Sequence, residues 1–156
     1  MRYFDPSRAT DSFATTASRL LAELDAAEPA LRGIDEEQAA GPRGEGKWSR
    51  KEVLGHLVDS AANNHQRFVR GQAGEPLDRT AYAQEHWVRA QGWADRRWED
   101  VVGLWAAYNR HLAHVIARIP EASSATPVRI GEQDWTLGDV ARDYVAHLRH
   151  HLDQIL

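Results

Sequence analysis

Four stretches with helical hydrophobic periodicity dominate the chain, and they constrain its fold more than any other feature. Apolar residues recur in them every three to four positions, which is typical of amphipathic helices. The stretches cover about residues 10–27, 49–70, 97–120 and 136–156. The second begins at a capping box, Ser49 with Glu52, and the fourth at a similar pair, Thr136 with Asp139. Either Thr10 or Asp11 is expected to cap the first.

The connections between these stretches are long. Residues 41–47 are rich in glycine and proline, which block regular structure. Residues 77–93 carry aromatic side chains without a clear period, and we expect them to be irregular with one short helix. Residues 121–135 are expected to form a loop with a small hairpin around Gly131. The prediction is an all-α four-helix bundle with long crossover connections, forming one domain over residues 1–156.

Composition narrows the class of protein. The 156 residues carry 19 basic and 23 acidic side chains, a net charge of −4, which argues against nucleic acid as the partner. No apolar run approaches the length of about 18 residues that a membrane span needs, and the N-terminus lacks a secretory signal, so we expect a cytoplasmic protein with no membrane partner. The chain contains no cysteine, so any thiol chemistry requires a thiol from another molecule.

Two of the eight histidines share the inward face of the fourth predicted helix. His147 and His151 are four residues apart, on the same side as Tyr144 and Ile155. Two core histidines with backbone or carboxylate partners and a pair of metal ligands fit this pattern about equally well. The remaining candidates are expected to face solvent or to lie in irregular structure. They are His86, His111, His114 and His150.

The second predicted helix carries a polar stripe beside its apolar one. His56, Ser60, Asn63 and Arg67 recur at helical spacing on this side. Periodicity alone favours a solvated face for the stripe. Asp59 is likewise expected to be an exposed carboxylate, with a role in orienting a metal ligand as the alternative.

Two motifs resemble those of a known family. The run of residues 48–60, continuing through Asn63 or Asn64 to Arg67 and Phe68, looks like the first motif of the DinB-like four-helix proteins. It is most similar to their YfiT branch, whose members are described as metal-dependent hydrolases related to bacillithiol S-transferases. Residues 143–152 are similar to the last motif of that branch, which ends in an arginine and two adjacent histidines. The middle segment agrees more loosely, through Glu75, Pro76, Tyr82 and Trp87.

The resemblance implies a metal site. By motif position, His56, His147 and His151 would hold a divalent ion, with zinc, nickel, iron and manganese as candidates. Three protein ligands leave positions open for water or substrate, as in catalytic sites. Asn63 and Arg67 are implied as residues that bind substrate or cofactor.

The function implied by the resemblance is thiol transfer. The metal would activate a low-molecular-weight thiol, bacillithiol or another, for conjugation to a small electrophile in detoxification or stress, and Arg67 would pair with a carboxylate of the thiol. Hydrolysis of a small amide or ester is one alternative. A non-catalytic metal-binding stress protein is the other. A homodimer is also implied.

Overall fold

A computed structural model describes residue 3 and residues 8–74, 77–79 and 81–156. Within these residues the chain forms six α-helices, three short strands and short 3-10 turns. The helices are α1 (Phe13–Arg32), α2 (Glu36–Ala40), α3 (Arg50–Gly71), α4 (Gln84–Gln91), α5 (Trp98–Ala117) and α6 (Leu137–Ile155). The strands are β1 (Leu77–Arg79), β2 (Pro127–Ile130) and β3 (Gln133–Thr136).

The four long helices, α1, α3, α5 and α6, confirm the predicted four-helix bundle. Both α1 and α3 pack against α5 and against α6. The first two long helices, α1 and α3, therefore stand at opposite corners, and so do the last two, α5 and α6, whereas α3 and α5 are neighbours. The α1–α3 and α5–α6 connections cross the bundle, and α3 and α6 become neighbours although they are distant in sequence.

Side-chain caps fix where the helices start. The Ser49 hydroxyl accepts a hydrogen bond from the Glu52 backbone N–H, and the Glu52 carboxylate accepts one from the Ser49 backbone N–H, so the predicted capping box is present. Thr136 and Asp139 form the same arrangement at α6. At α1 the cap is Ser12, one or two residues later than expected.

The first helix is longer than predicted. It continues through Pro29 to Arg32, although proline cannot donate the backbone hydrogen bond to the preceding turn. Tertiary contacts offset this loss, because Leu31 is fully buried and its carbonyl accepts a 2.8 Å hydrogen bond from Trp98 Nε1. The short helix α2 was not predicted, and the capping box of Asp35 with Gln38 starts it.

A small sheet lies beside the bundle. The predicted hairpin is present as antiparallel β2 and β3, and Gly131 in its turn has φ +59°, a left-handed conformation that glycine adopts without strain. Strand β1 pairs in parallel with β2, with Leu77 opposite Val128. The irregular assignment was therefore wrong for this segment, because three residues are too few to show a period. The expected short helix of that segment is α4.

Buried aliphatic and aromatic side chains from all four long helices form the core, with Trp105 fully buried. Among the described residues, no helix combines the length and apolarity needed to cross a bilayer.

Candidate metal centre

Three histidines from two neighbouring helices meet inside the bundle. His56 lies on α3, whereas His147 and His151 lie one turn apart on α6. One ring nitrogen of each lies within 4.8 Å of those of the other two, and the His56 and His147 Nε2 atoms are 3.3 Å apart. The packing of α3 on α6 therefore brings together three ligand atoms that could hold one metal ion.

The surroundings of these imidazoles disfavour the charged form. His56 is fully buried, and burial followed by the proximity of His151 lowers its pKa to about 4. Burial, followed by the neighbouring histidines, lowers the pKa of His147 to about 2. Burial also lowers the pKa of His151, although a hydrogen bond to Gln154 opposes this. The three rings are neutral at pH 7 and keep a lone pair for a ligand.

Each ring has an oxygen atom near its Nδ1. The Oε1 of Gln154 accepts from His151 Nδ1 at 3.3 Å. Tyr82 Oη lies 3.4 Å from His56 Nδ1, and Ser60 Oγ lies 3.5 Å from His147 Nδ1. Partners of this kind set the tautomer and orientation of metal-binding histidines. They leave the Nε2 atoms of His56 and His147 to face each other.

The other candidate histidines lie outside this cluster. His111, His114 and His150 are exposed, as expected, whereas His86, expected in irregular structure, is exposed on α4. Half-buried His65 was not singled out from the sequence, and its Nδ1 lies 3.1 Å from Tyr108 Oη.

A cavity of about 570 Å³ with both polar and apolar walls adjoins His147. His147 lines it together with Tyr82, residues of the β2–β3 hairpin, and Ser60 and Arg67 from the polar stripe of α3. Within that stripe His56, Ser60 and Arg67 are 0%, 4% and 7% exposed. The solvated-face interpretation of the stripe is therefore wrong, because these three side chains are buried, and Ser60 and Arg67 form part of the cavity wall.

The two predicted substrate residues differ in their placement. Arg67 lines the cavity, and its Nη1 donates a 2.9 Å hydrogen bond to Asn64 Oδ1. Asn63 does not line the cavity, and its side-chain amide donates to the Asp59 carbonyl at 2.8 Å. Its neighbour Asn64 occupies the wall instead. Because Asn64 is four residues after Ser60, the two share one face of the helix, and this spacing could have identified Asn64 as a wall residue.

Asp59 is fully buried, so the expectation of an exposed carboxylate is wrong. Its oxygens accept hydrogen bonds of 3.1 Å from Trp93 Nε1 and from the Gln91 amide. Burial raises its pKa, and these hydrogen bonds oppose the rise. Trp93 lies so close to Gly55 that a Cβ there would be 2.1 Å from the indole. Asp59 thus fixes the indole against α3, and none of its described hydrogen bonds involves a histidine ring.

Comparison with known proteins agrees with this architecture. The sequence model of the DinB superfamily matches residues 6–155. No curated protein sequence matches significantly. The fold is similar to a solved structure of YfiT from Bacillus subtilis, described as "a probable metal-dependent hydrolase with an unusual four-helix bundle topology". The match has a TM-score of 0.76 at 18% identity and covers 97% of this chain and 85% of that one.

Proposed function

This chain belongs to the DinB superfamily, and we propose that it is a metal-dependent transferase that activates a low-molecular-weight thiol for attack on a small electrophile. The observation that carries the proposal is the convergence of three imidazoles, one buried and two half-buried, beside a cavity lined in part by polar side chains. Three protein ligands are typical of catalytic sites, whereas structural zinc sites have four.

The donor set fits a divalent transition-metal ion. Ring nitrogens bind metal in their neutral state, and burial keeps His56 and His147 in that state at neutral pH. Imidazole suits zinc, nickel and iron better than manganese, which prefers oxygen ligands. His56, His147 and His151 would hold the ion, which when bound lowers the pKa of a coordinating thiol or water.

Tyr82 supplies a polar group next to this centre. Its side chain lines the cavity, and its Oη lies 3.4 Å from His56 Nδ1. Burial, followed by the nearby Asp59 carboxylate, raises the pKa of the Tyr82 hydroxyl, which therefore keeps its proton at neutral pH. The hydroxyl is available as a hydrogen-bond donor to a molecule in the cavity.

In the proposed transfer, the thiol sulfur forms a bond to an electrophilic carbon. The leaving group departs with the electron pair of the bond that breaks, and the thiol proton passes to solvent. Because the chain contains no cysteine, the sulfur belongs to a separate molecule such as bacillithiol or a related thiol.

Hydrolysis of a small amide or ester is the second candidate. It is favoured by the similarity in fold to YfiT, which is described as a probable hydrolase. The two reactions differ in the attacking molecule, which is water in hydrolysis and a thiol in transfer. The dependence of turnover on added thiol separates them.

The first test is metal content. Tag-free protein and its His56→Ala and His151→Ala variants are loaded with zinc, nickel or manganese, desalted and analysed by elemental mass spectrometry. His111→Ala is the matched control, because His111 is exposed and lies outside the cluster. About one ion per chain in the parent and the control, with little in the two site variants, supports the centre. Equal metal in all four proteins, or in none, contradicts it.

The second test is turnover. The metal-loaded protein is supplied with a monochlorobimane-type electrophile and a panel of low-molecular-weight thiols, and separately with ester and amide panels without thiol. Conjugation that requires both thiol and metal supports the transferase. Cleavage without thiol, and no conjugation with any thiol, supports the hydrolase. Metal uptake with neither activity overturns both and leaves a non-catalytic metal-binding protein.

A further inference from the structure

Arg67 is a buried cation in the wall of the cavity. Its residue is only 7% exposed, and it lies on α3 eleven positions after His56. One hydrogen bond, from Nη1 to Asn64 Oδ1, holds the guanidinium, and its buried Nε has no partner among the described residues. Several N–H donors of the planar guanidinium are therefore left without an acceptor in the described part of the chain.

Among the described residues, no carboxylate forms an ion pair with Arg67. Exposed Arg110, in contrast, is paired with Asp25 and Glu28 at 2.8 and 2.9 Å. The buried Asp59 carboxylate accepts from Trp93 and Gln91. A buried charge is costly unless it is paired, so the balancing negative charge is expected from outside the bundle.

We propose that Arg67, oriented by Asn64, is an anion-binding subsite that holds a carboxylate or phosphate group of the small molecule acted on at the histidine centre. This inference rests on the proposed function and adds its substrate class, a small organic acid. The planar guanidinium donates two parallel hydrogen bonds to such groups, which neutral molecules do not accept in the same way.

The arrangement on α3 also limits the size of the ligand. Ser60 contacts His147, and Asn64, one helical turn further on, contacts Arg67. One turn of α-helix rises by about 5.4 Å, so these two contacts are about one helical turn apart along α3. A short-chain acid whose anionic group is several bonds from its reacting atom fits such a separation.

The test is binding to metal-free, thiol-free protein by isothermal titration calorimetry at pH 8. Glutarate and inorganic phosphate are the two anionic probes, and glutaramide is the neutral match for glutarate. We expect at least one anion to bind at least tenfold more tightly than glutaramide. Binding of glutarate alone identifies a carboxylate ligand, and binding of phosphate alone identifies a phosphate ligand. No preference for either anion over glutaramide overturns the subsite.

Two variants assign the binding to Arg67. Arg67→Gln should weaken anion binding at least tenfold, whereas Arg70→Gln, at an exposed position of the same helix, should change it less than twofold. Arg67→Lys keeps the charge but lacks the two parallel N–H donors, so its affinity for the anion should be intermediate. It replaces Arg67→Gln as the test if that variant does not fold. Unchanged affinity in the Arg67 variants overturns the assignment.

A stability measurement separates ligand binding from a structural role. Without anion, Arg67→Gln should unfold at the same urea concentration as the parent or a higher one, because it removes an unpaired buried charge. A clearly lower midpoint would show a structural arginine and overturn the proposal. These measurements involve neither metal nor turnover. If the chain takes up no metal but binds the anion through Arg67, the anion-binding subsite is supported and the proposed metal-dependent enzyme is not. If the chain takes up metal but does not bind the anion, the enzyme proposal stands and the subsite is overturned.

Discussion

The Nε2 atoms of His56 and His147 lie 3.3 Å apart at the interface of α3 and α6. Neutral rings tolerate this contact, and it becomes repulsive once both rings carry a proton. The proposed metal ion and protons would therefore compete for the same nitrogens. The stability of the metal-free bundle should report the protonation of these nitrogens directly.

Acid should destabilise the metal-free protein well above the range in which most carboxylates titrate. Folding lowers the pKa of His56 from 6.5 to about 4, so the unfolded chain binds more protons within this interval. The stabilisation is complete above pH 6.5 and is lost as the pH falls towards 4. At pH 5 the free energy of unfolding is lowered by on the order of 1–2 kcal/mol through His56.

Urea unfolding with a chelator at pH 7.5, 6 and 5 measures this loss. The control is a His56→Asn, His147→Asn double variant, which keeps Asp59 and should show a flatter dependence on pH. Parallel curves for the parent and the double variant would show that the dependence arises elsewhere.

Gln154→Leu should weaken metal binding about tenfold while leaving the fold intact. The half-buried Gln154 side chain accepts from His151 Nδ1, and leucine removes this acceptor without removing a ligand. Competition with a chromophoric chelator at pH 7.5 measures the affinity. Asp153→Asn, at the exposed neighbouring position, is the control and should match the parent. Equal affinity in all three proteins would count against an orienting role for Gln154.

Gly55→Ala should destabilise the protein by about 1–3 kcal/mol through overpacking. Alanine normally stabilises a helix interior by about 1 kcal/mol relative to glycine, so the expected sign is reversed here. The reason is the Trp93 indole, which lies 2.1 Å from the position of the added Cβ. Gly103→Ala on α5 is the matched control, because no atom lies within 4 Å of its added Cβ, and it should be neutral or stabilising. Urea unfolding measures the stability of both variants. A Gly55→Ala variant more stable than the parent would contradict the packing described.

Asp59→Ala should destabilise the fold by about 2–3 kcal/mol, because it leaves the buried Trp93 N–H without an acceptor and opens a small cavity. Asp59→Asn keeps an oxygen for the indole and should cost clearly less. Urea unfolding at pH 7.5 compares the two. Similar losses in both variants would show that the carboxylate charge matters more than its hydrogen bonds.

The sequence predicted the bundle well, because long amphipathic helices with caps are local features. The capping boxes at Ser49 and Thr136 mark the starts of α3 and α6 in the structure. The end of α1 was misplaced because contacts of Leu31 with the core outweigh the local effect of Pro29. Strand β1 was missed because it depends on pairing with β2, about 50 residues later in the chain.

The site was only partly accessible from periodicity. His147 and His151 stand out because they share an apolar face. His56 does not, since the spacing of a polar stripe is the same whether it faces solvent or an internal cavity. The resemblance to a family, rather than the pattern itself, selected His56. The choice of Asn63 over Asn64 as a wall residue depended on a rotation of about 100° per residue, which a sequence motif does not resolve.

The separation of the three clustered histidines along the chain has a consequence for how the proposed ion would be acquired. A ribosome must add 90 residues after His56 before it incorporates His147. The three imidazoles therefore come together only once α6 has packed on α3. An ion that needs all three, as proposed, would bind after the bundle has formed, so its identity would depend on the metals available to the folded protein.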